Sequence, residues 1–300
     1  MPAKKMHEDE VETSIELVQR LLRAQFPHWA ELPLQAVPSA GTDNALYRLG
    51  NEMVVRLPRI HWAVSQAETE RHWLPRLTPS LPLQLPVQLV QGTPAEGYPW
   101  NWSIYRWIEG RNYSLLDEVP NPNQAALDLA AFLRALQRID TTDGPQASRG
   151  RPLQMRDASV REAIRALEGR VDTETATQLW AQAMQLPQWE REPVWVHGDF
   201  LPGNILFHEG RVRAVIDFSG LGVGDPACDL MIAWSLFSGE SRSVFRTALG
   251  LDPATWMRGR AHALSQALIF IPYYWDTNSL GVARALCAVR ETLADFKSNG

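Results

Sequence analysis

Cysteine is almost missing from this chain of 300 residues. Cys228 and Cys287 are the only two, too few for a disulfide framework and without the spacing of a zinc site. No apolar run is long enough to cross a bilayer. The opening stretch MPAKKMHEDE mixes charges and lacks the apolar centre of a secretion signal. The expected compartment is therefore the cytoplasm, with no membrane partner. An excess of basic charge is also absent: 29 Lys and Arg stand against 34 Asp and Glu, a net charge of −5. That balance argues against nonspecific nucleic-acid binding, which needs cations to displace counterions. There is no internal repeat and no low-complexity run. What remains is 45% hydrophobic residues, enough to bury one large domain or two lobes.

The chain is organised around VWVHGDFLPGNILFHEGRVRAVIDFSGLGVGDPACDLM, residues 194–231. Val194, Trp195 and Val196 read as a short buried strand that delivers His197, Gly198 and Asp199 into a loop closing at Asn204. Two further apolar runs, Ile205–Phe207 and Val212–Ile216, flank a Glu209-Gly210 turn and predict a hairpin. Asn204 at one strand's start would then approach Asp217 at the other's end. Three oxygen-bearing side chains, Asp199, Asn204 and Asp217, can converge there. A hydroxyl nucleophile needs a carboxylate to orient it and take its proton, and Mg²⁺ prefers oxygen ligands. Asp199-x-x-x-x-Asn204 has the spacing of the kinase catalytic loop, and Asp217-Phe218 stands where kinases carry their metal-binding Asp-Phe-Gly. Here the turn is D-F-S-G and the loop H-G-D. Taken alone, an H-x-D could be a satisfied loop histidine or half of a hydrolase metal site. Asp225-Pro226 reads locally as a helix start, with Asp as N-cap and Pro in the first turn.

The run His197-Gly198-Asp199-x-x-Pro202-Gly203-Asn204, then Ile216-Asp217-Phe218, then Gly224-Asp225-Pro226-x-x-Asp229-Leu230, resembles the aminoglycoside phosphotransferase family, small-molecule kinases of protein-kinase-like fold. Leu201 departs from the family, which usually has a second His there. The resemblance implies an α+β, bilobal fold, with a small antiparallel-sheet first lobe over residues 1–109 and a helix-rich second lobe over 110–300. It implies ATP (or GTP) and Mg²⁺ as cofactors and a hydroxyl-bearing small molecule as acceptor. Asp199 would be the catalytic base, Asn204 and Asp217 the metal ligands, and His197, Asp225 and Asp229 supporting residues, Asp229 as stabiliser of the catalytic loop.

In chain order, Val11, Ile15, Val18 and Leu22 predict a helix over about 9–26. Pro33 and Pro38 lead into the polar turn Ser39-Ala40-Gly41-Thr42-Asp43-Asn44 and a hairpin through Leu57. In kinase-like folds this loop covers the nucleotide phosphates through backbone N–H groups, which makes Ser39, Gly41, Thr42 and Asn44 candidates. Arg56 stands where most family members have Lys. It shares a strand face with Val54, opposite Met53, Val55 and Leu57, and would steady the α- and β-phosphates, paired with a helix glutamate. Glu70, on the stripe Ala63, Ala67, Glu70, Leu74, is the choice and Glu68 the reserve, with the helix ending soon after Pro75.

The run Trp100–Ile108 reads as the last strand of the first lobe. In related folds the inter-lobe hinge that meets the purine falls here. Residues 105–109 match it by order alone, which makes Tyr105 and Trp107 the candidates, and the aromatic enrichment would equally suit a core. Beyond the hinge, Asn121-Pro122 opens an amphipathic helix. Residues 141–152 read as a loop and the best internal linker candidate. Helical patterns follow over 156–169, 174–186, 227–237, 241–249, about 253–270, and 281–296. Acidic residues (Asp157, Glu162, Asp276) would suit a polycationic aminoglycoside, and aromatic ones (Trp234, Tyr273, Tyr274, Trp275) a macrolide. Amino alcohols and sugars are further acceptor classes, and a catalytically silent nucleotide-binding protein of the same fold is the alternative to a kinase. A metal-dependent hydrolase would need more His or carboxylate ligands near His197. Antibiotic resistance would be a property of the acceptor.

Overall fold

The computed structural model describes residues 9–38, 43–113 and 119–299. The chain divides into two compact units: Met1–Pro79 with Gln84–Gly110, and Ser80–Leu83 with Arg111–Gly300.

The first unit holds five antiparallel strands: β1 (Leu34–Ala36), β2 (Asn44–Leu49), β3 (Met53–Pro58), β4 (Gln88–Gly92) and β5 (Trp102–Arg106), in the order β1-β2-β3-β5-β4. Helix α1 (Ile15–Gln25) begins later than its apolar pattern suggests. Ser14 stops it there, adopting extended dihedrals and accepting from the Leu17 amide at 3.2 Å, the N-cap role of a short hydroxyl. Leu17, Val18, Leu21 and Leu22 of α1 pack with Tyr47, Leu49, Val55, Leu57 and Ile104 of the sheet. The period of two along β3 sends Val55 and Leu57 into this core and Arg56 to the opposite face. The edge strand β1, three residues long, was not legible between Pro33 and Pro38.

Helix α2 (Trp62–Leu77) buries Ala63, Glu70, Leu74 and Leu77 along one stripe. It ends at Leu77, two residues after Pro75, in line with the expectation. Only the last turn lies beyond that residue, and the buried Leu77, with the Thr78 hydroxyl on the Leu74 carbonyl at 2.7 Å, keeps that turn helical.

The second unit is built on α3 (Pro122–Leu136), α4 (Asp157–Ala166), α5 (Thr173–Ala183), the short α6 (Ile232–Ser235), α7 (Gly239–Leu249), α8 (Pro253–Tyr274) and α9 (Ser279–Asn299). Its core joins Val160, Ile164 and Leu167 to Leu179 and Trp180, to Leu264, Leu268 and Ile271 of α8, and to Val289 and Leu293 of α9. Two small antiparallel pairs complete it: β6 (Val194–Val196) with β9 (Gly222–Gly224), and β7 (Ile205–His208) with β8 (Arg211–Val215). Glu209 and Gly210 both have positive φ (48° and 75°), the backbone that lets a two-residue turn match strand twist.

Two expectations for this unit need correction. The segment read as one helix from 227 begins as a 3-10 helix, Pro226–Met231, before α6. Asp225 caps it, accepting from the Ala227 amide at 2.9 Å. The loop over 141–152 is no linker, since it is tied into the second unit. The Ala147 amide donates to the Val223 carbonyl (3.0 Å), that of Val223 to Pro145 (2.7 Å) and that of Asp225 to Gly150 (2.9 Å).

Candidate active site

The second unit gathers its polar groups where β6 ends. Asp229 is fully buried and accepts from the amides of His197 (2.7 Å) and Gly198 (2.8 Å), which fixes the loop backbone. Burial pushes its carboxyl up to about 7 despite those two donors. The ring of His197, also fully buried, accepts from the Asp199 amide at Nδ1 (3.1 Å). Nε2 therefore carries the proton and donates to the Ile216 carbonyl at 3.1 Å. Desolvation, the largest influence on this imidazole, lowers its pKa and favours the neutral ring. His197 thus ties the loop to the strand end that precedes Asp217.

Gly198 gives the H-G-D departure from the protein-kinase motif a physical reason. Its φ is +78°, and a Cβ placed there would sit 2.2 Å from the Gly220 carbonyl oxygen. Gly220, in turn, would bring a Cβ within 2.8 Å of the Gly198 carbonyl carbon. The middle residue of H-G-D and the last of D-F-S-G pass backbone against backbone, so neither has room for a side chain.

Asp199 is half-buried. The Asn204 Nδ2 donates to its carbonyl (2.8 Å) and to its Oδ2 (3.1 Å). The Ile216 amide donates to the Asn204 carbonyl at 2.9 Å, which sets Asn204 beside the residue that precedes Asp217. Asp217 has a φ of +60°, a region a non-glycine residue enters at a cost of about 1–2 kcal/mol. Such strain is held where the surroundings over-determine it. Asn112 Nδ2 donates to the Gly203 carbonyl, holding the turn between Asp199 and Asn204. Asn204 spends its Nδ2 on Asp199, while its Oδ1 makes no hydrogen bond among the described residues. An amide oxygen and a carboxylate are the hard donors Mg²⁺ accepts, so the residues present fit that ion.

One residue here went unread in the sequence. Arg149, from the loop tied to β9, donates through Nη1 to the Gly198 carbonyl (2.8 Å) and to Asp199 Oδ1. It lies fifty positions before Asp199 in a stretch without helical or strand pattern, and no local signal could have joined the two.

Behind the loop, Asp225 accepts from Arg258 Nε (2.7 Å) and Nη2 (3.2 Å), both side chains being nearly buried. Together with its cap, this gives Asp225 a structural position.

The first unit holds its own cluster. Arg56 Nη1 meets Glu70 Oε2 at 2.6 Å, with side chains 10% and 0% exposed. Glu68 faces Arg71 instead. The Tyr105 hydroxyl donates to the same Glu70 oxygen at 2.9 Å, and its ring centroid lies 5.9 Å from the Arg56 guanidinium carbon. Burial, with the Glu70 charge next, moves the phenol well above its usual range, so it stays a donor. Trp107 keeps its amide on the Glu52 carbonyl at 2.7 Å, and the Arg48 guanidinium stands over its ring at 4.6 Å. Asn44 opens β2 opposite Pro58. Ser39, Gly41 and Thr42 lie outside the described residues. Of the acceptor candidates, Asp157 is already engaged by Arg161 (2.9 Å) and Trp180 (2.8 Å), and Trp234 is buried.

The sheet, its buried arginine–glutamate pair and the carboxylate-bearing hairpin define a bilobal, protein-kinase-like α+β protein. Solved structures agree in fold. The GDP complex of wild-type aminoglycoside 2'-phosphotransferase-IIIa matches with TM-score 0.74 at 16% identity, over 95% of this chain and 100% of that one. Macrolide 2'-phosphotransferase type I matches with TM-score 0.65 at 19% identity, over 93% and 98%. The chain belongs to the APH phosphotransferase enzyme family, whose model matches residues 34–264. The aminoglycoside 3'-phosphotransferase of Salmonella typhimurium is 29% identical over 154 residues, 48% of this chain and 55% of that protein. The chain thus matches about half the length of this curated relative.

Proposed function

We propose that this protein transfers the γ-phosphate of ATP or GTP to a hydroxyl of a small molecule, with Mg²⁺. The observation that carries the reading is the carboxylate of Asp199, oriented by Asn204 at the foot of a hairpin whose second strand runs into Asp217. Asp199 orients the acceptor hydroxyl and takes its proton. Asn204 Oδ1 and the Asp217 carboxylate hold Mg²⁺, which when bound supplies charge neutralisation along the phosphates. Arg56 steadies the α- and β-phosphates, oriented by Glu70, which Tyr105 holds in turn. The polar turn with Ser39, Gly41, Thr42 and Asn44 covers the phosphates, and Tyr105 and Trp107 mark the segment whose backbone meets the purine. His197, Asp225 and Asp229 support the loop. Phosphoryl transfer passes through a loose transition state, so positioning and electrostatics supply most of the rate.

The relatives are named for nucleotide complexes and for aminoglycosides and macrolides, and those two classes head the acceptor panel, followed by amino alcohols and sugars. The cytoplasm, where nucleoside triphosphates are abundant, is the compartment proposed. No nucleic-acid or membrane partner is needed for the reaction. The test is nucleotide consumption with and without each acceptor, in the parent and in Asp199→Asn. Acceptor-stimulated consumption abolished by that change is expected. A variant turning over within about tenfold of the parent would remove Asp199 as the base, and an inert parent would favour a silent nucleotide-binding protein.

A further inference from the structure

Resting on that reading, we propose that Arg149 is a catalytic residue that contacts the transferring phosphoryl group while holding Asp199 in place. The four residues between Asp199 and Asn204 are Phe200, Leu201, Pro202 and Gly203, so the loop carries no cation of its own. The nucleotide phosphates would meet two carboxylates there, Asp199 and Asp217. Arg149 is the cation that hydrogen-bonds Asp199 among the described residues.

Its geometry leaves a free edge. Nη1 makes both protein contacts, to the Gly198 carbonyl and to Asp199 Oδ1. Nε and Nη2 make none among the described residues, and the side chain is 27% exposed. Those two nitrogens are the parallel donors of a guanidinium that match two oxygens of a phosphoryl group.

The arm is also fixed in advance. Gly150 accepts from Asp225, and a Cβ at Gly150 would lie 3.1 Å from Gly224, so the backbones touch. Ala147, whose amide bonds Val223, is fully buried. Donors fixed before the reaction need no reorganisation during it.

In the step itself a bond forms between the acceptor oxygen and the γ-phosphorus. The bond from that phosphorus to the bridging oxygen breaks, and its electron pair leaves with the nucleoside diphosphate. The acceptor proton passes to Asp199. Arg149 gives and takes no proton. It offsets charge on the equatorial oxygens and keeps the Asp199 carboxylate turned to the acceptor.

The test uses Arg149→Met, Arg149→Lys and Arg149→Ala, the last with and without added guanidinium ion. It reads kcat and KM for the best acceptor, nucleotide consumption without acceptor, and the melting temperature. For Arg149→Met, kcat should fall roughly 10³-fold, as for other arginines that neutralise transferring phosphoryl groups, with nucleotide KM within about threefold of the parent. Lys should recover no more than about tenfold of the loss, lacking the fork. Guanidinium ion should raise the turnover of Arg149→Ala about tenfold or more, an effect that a merely structural strap would not give. Arg149→Met within about fivefold of the parent kcat overturns the inference, as does full recovery by Lys. Should Arg149→Met fail to fold, Lys and guanidinium rescue decide alone. A parent inert with every acceptor and with water would instead defeat the kinase reading itself, and the inference with it.

Discussion

Arg56 and Glu70 are two charges taken out of water together, and the pair is sound only while both members are present. Arg56→Ala is expected to weaken productive nucleotide use by about 2–4 kcal/mol, as for truncating one partner of a buried pair. Arg56→Lys should recover part of this, since the site is shaped around a planar fork and holds Tyr105 on the same Glu70 oxygen. Glu70→Ala should add little to Arg56→Ala in a double-mutant cycle read by kcat/KM, because neighbours acting as a unit are not additive. Additive losses would separate the two functionally. At Asp217, Asp217→Ala should remove most of the Mg²⁺ dependence of nucleotide binding, by withdrawing a carboxylate ligand. Calorimetry with and without Mg²⁺ checks it, and an unchanged magnesium-linked affinity would leave Asp217 only a place in the turn.

Among the elements, the loop between β6 and β7 passes through Gly198 against Gly220 of the turn between β8 and β9, backbone on backbone. Gly198→Ala would combine a positive φ with a methyl group 2.2 Å from the Gly220 oxygen. Backbone strain and overpacking together cost about 2–4 kcal/mol, and the displaced His197–Asp199 segment should lower turnover by about a hundredfold or more. Gly203→Ala is the matched control, since nothing lies within 4 Å of its Cβ position, and its stability should change by no more than about 0.5 kcal/mol. Urea titration and kcat on both variants test the contrast. Equal effects would mean that the loop tolerates displacement at Gly198.

Over the whole molecule, pH acts through groups buried far from water. His262 on α8 is 1% exposed, and its Nε2 has no hydrogen-bond partner among the described residues. Burial first, then the charges of Arg156, Arg258 and Arg149, lower its pKa from 6.5 to about 3. The unfolded chain therefore binds this proton more readily. The contribution to stability is complete above pH 6.5 and is lost as pH falls towards 3. Asp229 works in the opposite sense: raised to about 7, it makes the folded state less stable as pH rises from about 4 to 7. Comparing His262→Leu with the parent cancels every other titration. Between pH 7.5 and 5 the variant should gain about 2 kcal/mol relative to the parent, measured by urea unfolding at both pH values. A constant difference would mean that His262 takes up its proton equally in the folded and unfolded states.

The sequence alone determined whatever is written in short spacings. The hairpin between Asn204 and Asp217, the alternation that separates Arg56 from Val55 and Leu57, and the stripe that buries Glu70 rather than Glu68 follow from periods of 2 and 3.6. The run of three linked motifs gave the family. Tertiary structure decided the rest, because contacts between distant segments leave no periodic trace. Arg149 reaches Asp199 across fifty positions, from a loop whose glycines and prolines read as a linker until Val223 and Asp225 are seen to bind it. Tyr105, placed by order at the purine, turns its hydroxyl to Glu70, since an inward side chain on a buried strand must find a polar partner. The glycines of H-G-D and D-F-S-G stood in the sequence in two separate motifs. Only the packed backbone makes them one requirement, each being the space the other needs.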